Sequence, residues 1–233
     1  MSAGVYSAAA GMVAAERLYE VATQNLAHLR VHGYRRRQLS FEAVIGPDGK
    51  SYPSLGEVRI DFTPGTYERT ENPLDVAIEG EGFFVLEGPE GPVYTRAGLF
   101  QVDATGRLVS PAGYAVQGTG GPMVVPVQGG QVRIMEDGTV VAGDQVAGQL
   151  RVVRFDDPSR LQPVGPSLFA APPGLAEQTV ERPRLLPGIR ETSNVDPITD
   201  LVQLILASRY YEAGQRAISA VAQAHDQTSN SLF

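Results

Sequence analysis

Two proline-free stretches, one near each end of the chain, carry apolar or small residues at alternating spacings of three and four, and a long segment dense in glycine and proline lies between them. In residues 1–30 the only glycines are Gly4 and Gly11, and the seam reads Val5, Ala8, Met12, Ala15, Tyr19, Ala22, Leu26 and Leu29. That spacing predicts a heptad-patterned helix. Its many alanines raise helix propensity but add little to bury, so the helix needs a partner. Near the other end, Asp196 can cap a helix whose first position is Pro197. Between Ile198 and Ala224 there is no proline, and Gly214 is the only glycine. Here Leu201, Leu204, Ser208, Tyr211, Gln215, Ile218 and Ala222 repeat the pattern, with Val202 and Ile205 beside them. Polar Ser208 and Gln215 interrupt this second seam, which argues against a simple dimeric zipper.

Residues 31–190 change period. Turn signals such as Pro89-Glu90-Gly91, Asp103-Ala104-Thr105-Gly106, Pro111-Ala112-Gly113, Gln128-Gly129-Gly130 and Glu136-Asp137-Gly138 separate short runs with strand character. Those runs are Val93–Thr95, Leu99–Val102, Leu108–Ser110, Val124–Val127, Val132–Met135, Thr139–Ala142 and Gln149–Phe155. Val76, Ile78 and Phe83–Val85, around Gly80 and Gly82, read as two strands joined by a tight turn or bulge. Nothing alternates with helix in the way a parallel sheet requires. The expected fold is mainly β with terminal α-helices: an antiparallel β-domain inserted between N- and C-terminal coiled-coil-like helices. The expected boundaries are 1–40 for the N-terminal helix, 41–71 for a connecting segment, 72–190 for the β-domain and 191–233 for the C-terminal helix. Two such helices point to a subunit that assembles.

Composition removes several classes of chemistry. With no cysteine there is no disulfide framework, thiolate zinc site or thiol nucleophile. A net charge of -7 argues against nonspecific binding of nucleic acid, which needs a positive surface. The first ten residues lack the charged and apolar regions of a cleaved secretory signal, and no 18-residue apolar run spans a membrane. His28 and His32 stand four apart, as metal ligands on a helix can, but no carboxylate falls between them and Gly33 follows closely. They read as two histidines at a helix end. Asp61, Asp75, Glu79, Glu81, Asp156 and Asp157 form nominal carboxylate pairs, yet scattered surface acids are the default among 26 acidic residues. Arg35-Arg36-Arg37 reads as a solvated or salt-bridging face. No catalytic residues, cofactor site or metal site is expected, and the chain does not read as an enzyme.

Three blocks resemble the bacterial flagellar rod and hook family. Gln24-Asn25-Leu26-Ala27-His28 followed by Gly33-Tyr34-Arg35-Arg36 is similar to the family's N-terminal block, with His28 in place of its usual Asn. Asn72-Pro73-Leu74-Asp75-Val76-Ala77-Ile78-Glu79-Gly80-Glu81-Gly82-Phe83-Phe84, continuing through Tyr94-Thr95-Arg96-Ala97-Gly98 and Asp103–Val109, resembles its central signature. Ser193-Asn194-Val195-Asp196-Pro197 with Arg209-Tyr210-Tyr211-Glu212 resembles the C-terminal block.

The resemblance implies a structural subunit of the flagellar basal-body rod, exported through the flagellar type III apparatus without a cleaved signal. In the periplasm it would polymerise with copies of itself and with other rod and hook proteins into a helical tube that transmits torque. Val5, Met12, Tyr19, Leu26, Leu29, Leu201, Leu204, Tyr211 and Ile218 are the expected assembly contacts. Only 30 residues separate Phe41 from Asn72, which favours a proximal over a distal rod subunit or a hook-like one. A β-domain that binds glycan, with oligomerising helices, and an enzyme built on a carboxylate pair are the readings from other classes.

Overall fold

The computed structural model describes residues 3–45, 51–126 and 130–230. They divide into two compact units. The first consists of Met1–Ala27, Arg37–Ile60 and Val195–Phe233, the second of His28–Arg36 and Asp61–Asn194.

In the first unit, helix α1 (Ala3–Ala27) packs against helix α2 (Pro197–Asn230). The packed faces are built from small residues: Ala15 and Ala22 of α1 and Ala207 of α2 are buried. Gly214 lets the helices approach, since a Cβ there would lie 2.4 Å from Met12 Cγ. Asp196 caps α2, its Oδ1 accepting from the Ile198 amide at 3.1 Å and its Oδ2 from the Thr199 hydroxyl at 2.5 Å. Strands β1 (Arg37–Ile45) and β2 (Ser51–Ile60) pair antiparallel, Arg37 opposite Ile60. Their register shifts between Leu39 and Phe41. Gly56 sits there because a Cβ would meet Ser40 Oγ at 2.3 Å. This hairpin occupies much of what the sequence reads as a connecting segment.

The second unit is antiparallel throughout its named strand pairs. Strand β3 spans Tyr67–Arg69, β4 Val76–Ile78, β5 Phe83–Gly88 and β6 Gly91–Thr95. Strand β5 runs through the centre of the largest sheet, paired with β6, Ala115–Gly118 and Val152–Arg154. Its central place explains why Phe83–Leu86 is apolar and buried without alternation. Phe84, Leu86, Phe100, Leu108, Val116 and Leu150 form the heart of the core. A three-stranded sheet (Val132–Ile134, Thr139–Ala142, Gln145–Gln149) contributes Ile134 and Val140 to it.

The two strands expected around Gly80 and Gly82 are β4 and β5, joined by a turn but not paired with each other. Strand β4 pairs with Leu185–Pro187, Ile78 opposite Leu185, whereas β5 belongs to the large sheet. The Gly80-Glu81-Gly82 turn, with φ of +93° at Gly80 and +137° at Gly82, carries the chain from one sheet to the other. Of the other expected strands, Leu99–Val102 shortens to Gln101–Val102 and Gln149–Phe155 resolves into Gln145–Gln149 and Val152–Arg154. Val124 forms only an isolated bridge with Arg107, and Val127 lies outside the described residues, as do Gln128 and Gly129.

Candidate assembly surface and buried charge cluster

Helix α2 is apolar on two opposite sides. Asp200, Leu204, Ala207, Gly214 and Ile218 lie along one side, with Asp200 and Ala207 buried. The other side carries Ile198, Leu201, Val202, Ile205 and Leu206, spaced by one, three and four residues, and all are exposed. Leu201 is 52% exposed and Ile198 76%. A helix apolar on both sides is suited to contacts beyond its own partner helix. On α1, Met12 and Leu26 are half-buried and Tyr19 is exposed, while Leu29 is half-buried in the turn after the helix. Tyr211 is exposed, and Leu204 and Ile218 are half-buried. Val5 lies on α1, but its side chain lies outside the described residues. Thus Tyr19, Leu201 and Tyr211 lie on open surface, whereas Met12, Leu26, Leu29, Leu204 and Ile218 are partly covered.

The signature residues act mainly as backbone clamps. In the first unit Asn25 is fully buried. Its Nδ2 donates to the Arg37 carbonyl at 2.9 Å and to Asp200 Oδ1 at 3.0 Å, and its Oδ1 accepts from the Arg37 amide at 2.9 Å. One side chain therefore joins the end of α1, the start of β1 and α2. Leu26 beside it is half-buried, and Val195, leading into α2, is buried.

In the second unit, Asn72 donates to Asp75 Oδ1 at 2.7 Å and accepts from the Leu74 amide at 3.1 Å, fixing the Asn72-Pro73-Leu74-Asp75 turn. Leu74 packs against the core, and Asp75 is buried. Gly33, at φ +68°, lies so close to Ala97 that a Cβ would fall 2.4 Å from its amide nitrogen. Asn194 accepts from the Arg36 amide at 2.6 Å and donates to the carbonyls of Asp61 and Thr63, each at 2.9 Å. Ser193, beside it, is half-buried.

At the centre of these clamps lies a buried charge cluster that the sequence reading does not anticipate. Glu191 Oε2 accepts from Arg96 Nε at 2.8 Å, and its Oε1 accepts from Arg35 Nη2 at 2.6 Å and the Gly65 amide at 3.0 Å. All three side chains are buried. Arg96 also donates from Nη1 to the carbonyls of Gly80 and Gly82, both at 2.8 Å, and from Nη2 to that of Ile78 at 3.1 Å. Arg35 makes only its bond to Glu191, and its Nε and Nη1 are enclosed without a partner among the described residues. Desolvation by burial pushes the Arg35 pKa below its ordinary value, opposed by the charge of Glu191. The only sequence signals were the Arg35-Arg36-Arg37 run and Arg96 within the signature. Glu191 carried none, because its partners are 156 and 95 positions away.

A cavity of about 470 Å³ opens beside this cluster. Phe62, Phe83 and Phe155 line it, together with the charged residues Arg35, Arg96, Arg154, Glu81 and Asp156.

The residues weighed for other chemistry sit in structural contacts. The His28 ring stacks on Tyr34 at 4.9 Å between centroids. His32 Nδ1 is enclosed without a partner among the described residues. Glu79 pairs with Arg184, Asp156 accepts from Gln178, and Asp157 caps the short 3₁₀ turn Pro158–Arg160. Asp61 accepts from the Thr63 amide at 2.9 Å.

Comparison with known proteins sets this architecture in context. Residues 77–142 match the family model described as the flagellar hook protein FlgE/F/G D1 domain, and residues 186–232 match that described as the flagellar basal body rod FlgEFG protein C-terminal. The flagellar basal-body rod protein FlgF of Mesorhizobium japonicum is 28% identical over 238 residues, which cover 100% of this chain and 98% of the relative. FlgF of Salmonella typhimurium is 32% identical over 224 residues, 86% of each chain. The chain belongs to the flagellar basal-body rod protein family. FlgG of Caulobacter vibrioides is also similar, 28% identical over 256 residues that cover 96% of this chain and 97% of the relative. Within this rod-family chain Arg96 falls in the first matched segment and Glu191 in the second. A buried ion pair thus joins the two family segments, beside the strand pairing of Leu186 with Ala77.

Proposed function

We propose that this chain is a structural subunit of the flagellar basal-body rod, polymerising with copies of itself and with other rod and hook proteins into a helical tube that transmits torque. The exposed apolar side of α2, from Ile198 to Leu206, carries this reading. A side of that character is suited to burial between subunits. In this reading Val5, Met12, Tyr19, Leu26, Leu29, Leu201, Leu204, Tyr211 and Ile218 meet neighbouring helices in a coiled-coil-like layer. The rod lies in the periplasm, and the chain reaches it through the flagellar export apparatus. Among the described residues no helix is long and apolar enough to cross a membrane.

Its type is FlgF-like. The alignment with FlgG runs over 256 positions, longer than this chain's 233 residues, so that relative carries segments absent here. The full-length alignment with FlgF takes 238. The same lack of an insert supports the proximal assignment. A glycan-binding β-domain is not favoured, because the resemblance to rod proteins includes both terminal helices.

Purified full-length protein should form polymers that pellet on ultracentrifugation. A chain lacking residues 1–27 and 197–233 should stay in the supernatant with its β-rich unit folded. Equal pelleting of both would refute assembly through the helices.

A further inference from the structure

Met12 lies against Gly214 and Asn25 bonds to Asp200, so α1 and α2 run antiparallel. Along this contact the small residues repeat. On α1, Ala8, Ala15 and Ala22 are spaced by seven, the first half-buried and the other two buried. On α2, Ala207 is buried and Gly214 follows it by seven. Seven residues are close to two helical turns, so sliding one helix by that amount keeps the same faces together. The slide covers about 10 Å and lays small side chains on small side chains again. Shape alone gives such a seam little means of choosing one alignment.

Asn25 and Asp200 break the repeat. Both are fully buried, and Asp200 stands seven residues before Ala207, on the same face of α2. Asp200 Oδ1 accepts from Asn25 Nδ2 at 3.0 Å, while both backbone groups of Arg37 hold Asn25 in place. A slide of seven in one direction brings Asp200 level with Leu18, which has no donor to offer. A slide in the other carries Asp200 past the end of α1 at Ala27. Neither keeps the bond, and a buried carboxylate that loses its donor is costly. One buried polar contact in a helix seam can fix register at some cost in stability. We propose that the Asn25–Asp200 bond sets the register of α1 and α2, Asp200 being the positioning residue that selects one of the heptad-related alignments. The alignment decides where along α1 the exposed Ile198–Leu206 side is presented to other subunits. That consequence rests on the assembly reading; the register does not.

The chain has no cysteine, so engineered pairs in the full-length protein report the alignment without background. Met12→Cys with Gly214→Cys reads the observed register, in which a Cβ at position 214 falls 2.4 Å from Met12 Cγ, within disulfide reach. Met12→Cys with Ala207→Cys reads the register one heptad away. Disulfide equilibria against glutathione should favour the first pair by about tenfold or more, the effect of one hydrogen bond to a charged group. Adding Asp200→Leu, which leaves the Asn25 bonds to Arg37, should bring the two pairs close to parity with far-UV helicity retained. Asp200→Asn, whose amide oxygen still accepts from Asn25, should restore the preference. An undiminished preference in Asp200→Leu, or none in the chain that keeps Asp200, would overturn the proposal. Helicity lost in Asp200→Leu would overturn it too, by showing that the bond holds the helices together rather than aligning them. Pelleting of Asp200→Leu without cysteines separates the two claims. It should fall severalfold, and wild-type pelleting beside a lost register preference would refute only the consequence for assembly.

Discussion

Arg96 and Glu191, 95 positions apart in the chain, meet at 2.8 Å inside the β-rich unit, and the same guanidinium holds the carbonyls of Ile78, Gly80 and Gly82. The pair therefore fixes the turn that carries the chain from β4 to β5 and ties it to the strand Ile189–Glu191, which pairs with β3. Glycines in that turn and arginine sixteen residues later serve one structural purpose: the backbone presents its carbonyls, and a buried cation collects them.

The three charges should differ sharply in their weight. Arg96→Met strips acceptors of their donors and leaves Glu191 Oε2 without its cation, so it should destabilise the unit by roughly 3–5 kcal/mol, the usual result of breaking a buried ion pair. Arg35→Met removes the surplus charge and one hydrogen bond, leaving a neutral Arg96–Glu191 pair, and should stay within about 1 kcal/mol of wild type. Urea titration of the two variants checks the order. Equal losses would mean that Arg96 is no more central than Arg35.

Backbone crowding gives a second contrast. A Cβ on Gly98 would fall 1.7 Å from the Val76 carbonyl oxygen, and that carbonyl belongs to the core strand β4. Gly98→Ala should therefore cost roughly 3 kcal/mol or more through overpacking, or prevent folding. Gly120 has open space around its Cβ position, so Gly120→Ala should remain within about 0.5 kcal/mol of wild type. Thermal melting separates them, and a wild-type melting curve for Gly98→Ala would contradict the packing described.

His32 makes stability depend on pH. Burial, and then the charge of Arg190, lower its pKa below the ordinary value near 6.5, while Glu68 and Asp75 oppose the shift. Protonation would also place an N–H at Nδ1, where no acceptor stands among the described residues. The unfolded chain therefore takes up the proton more readily. Stability from this group is present above about pH 6.5 and is lost as pH falls from there to the lowered folded-state value, below which it levels off. Urea midpoints measured between pH 7.5 and 5 should fall for wild type and fall less for His32→Asn. Parallel curves would show that His32 does not contribute.

Local period made much of this architecture legible. The proline-free heptads gave α1 and α2, and the spaced turn signals gave an antiparallel β-rich unit. The hairpin of β1 and β2 escaped although Leu39, Phe41, Ala43 and Ile45 alternate, because Pro53 and Gly56 interrupt the pattern of its second strand. The pairing of β4 and β5 was beyond the sequence for a different reason. Sequence shows that the chain turns at Gly80-Glu81-Gly82, but the partner of each strand is set by residues far along the chain, Leu185 for Ile78 and Val152 for Phe84. Glu191 was illegible for the same reason, since a lone glutamate becomes a buried anchor only when distant arginines reach it.

The terminal helices give the last prediction. Where α1 and α2 meet, Ala15, Ala22 and Ala207 are buried, with Val21, Asn25 and Asp200 near one end and Gly214 against Met12 farther along. Small side chains bring little apolar area out of water, and holding each helical residue opposes backbone entropy of about 1–2 kcal/mol. The pair is therefore weak in a free subunit, and the exposed Ile198–Leu206 side of α2 is where neighbours would add burial. Hydrogen exchange on dilute monomer should show residues 7–27 and 198–223 exchanging fast while β5 and its neighbours remain protected, and polymerised protein should protect both helices. Leu201→Asp, on the exposed side, should abolish pelleting without changing the melting of the β-rich unit, whereas Ala207→Asp, on the buried side, should also lower the helicity of the monomer. Slow exchange of both helices in a verified monomer would show that the α1–α2 contact suffices alone, and ordering on assembly would then be wrong.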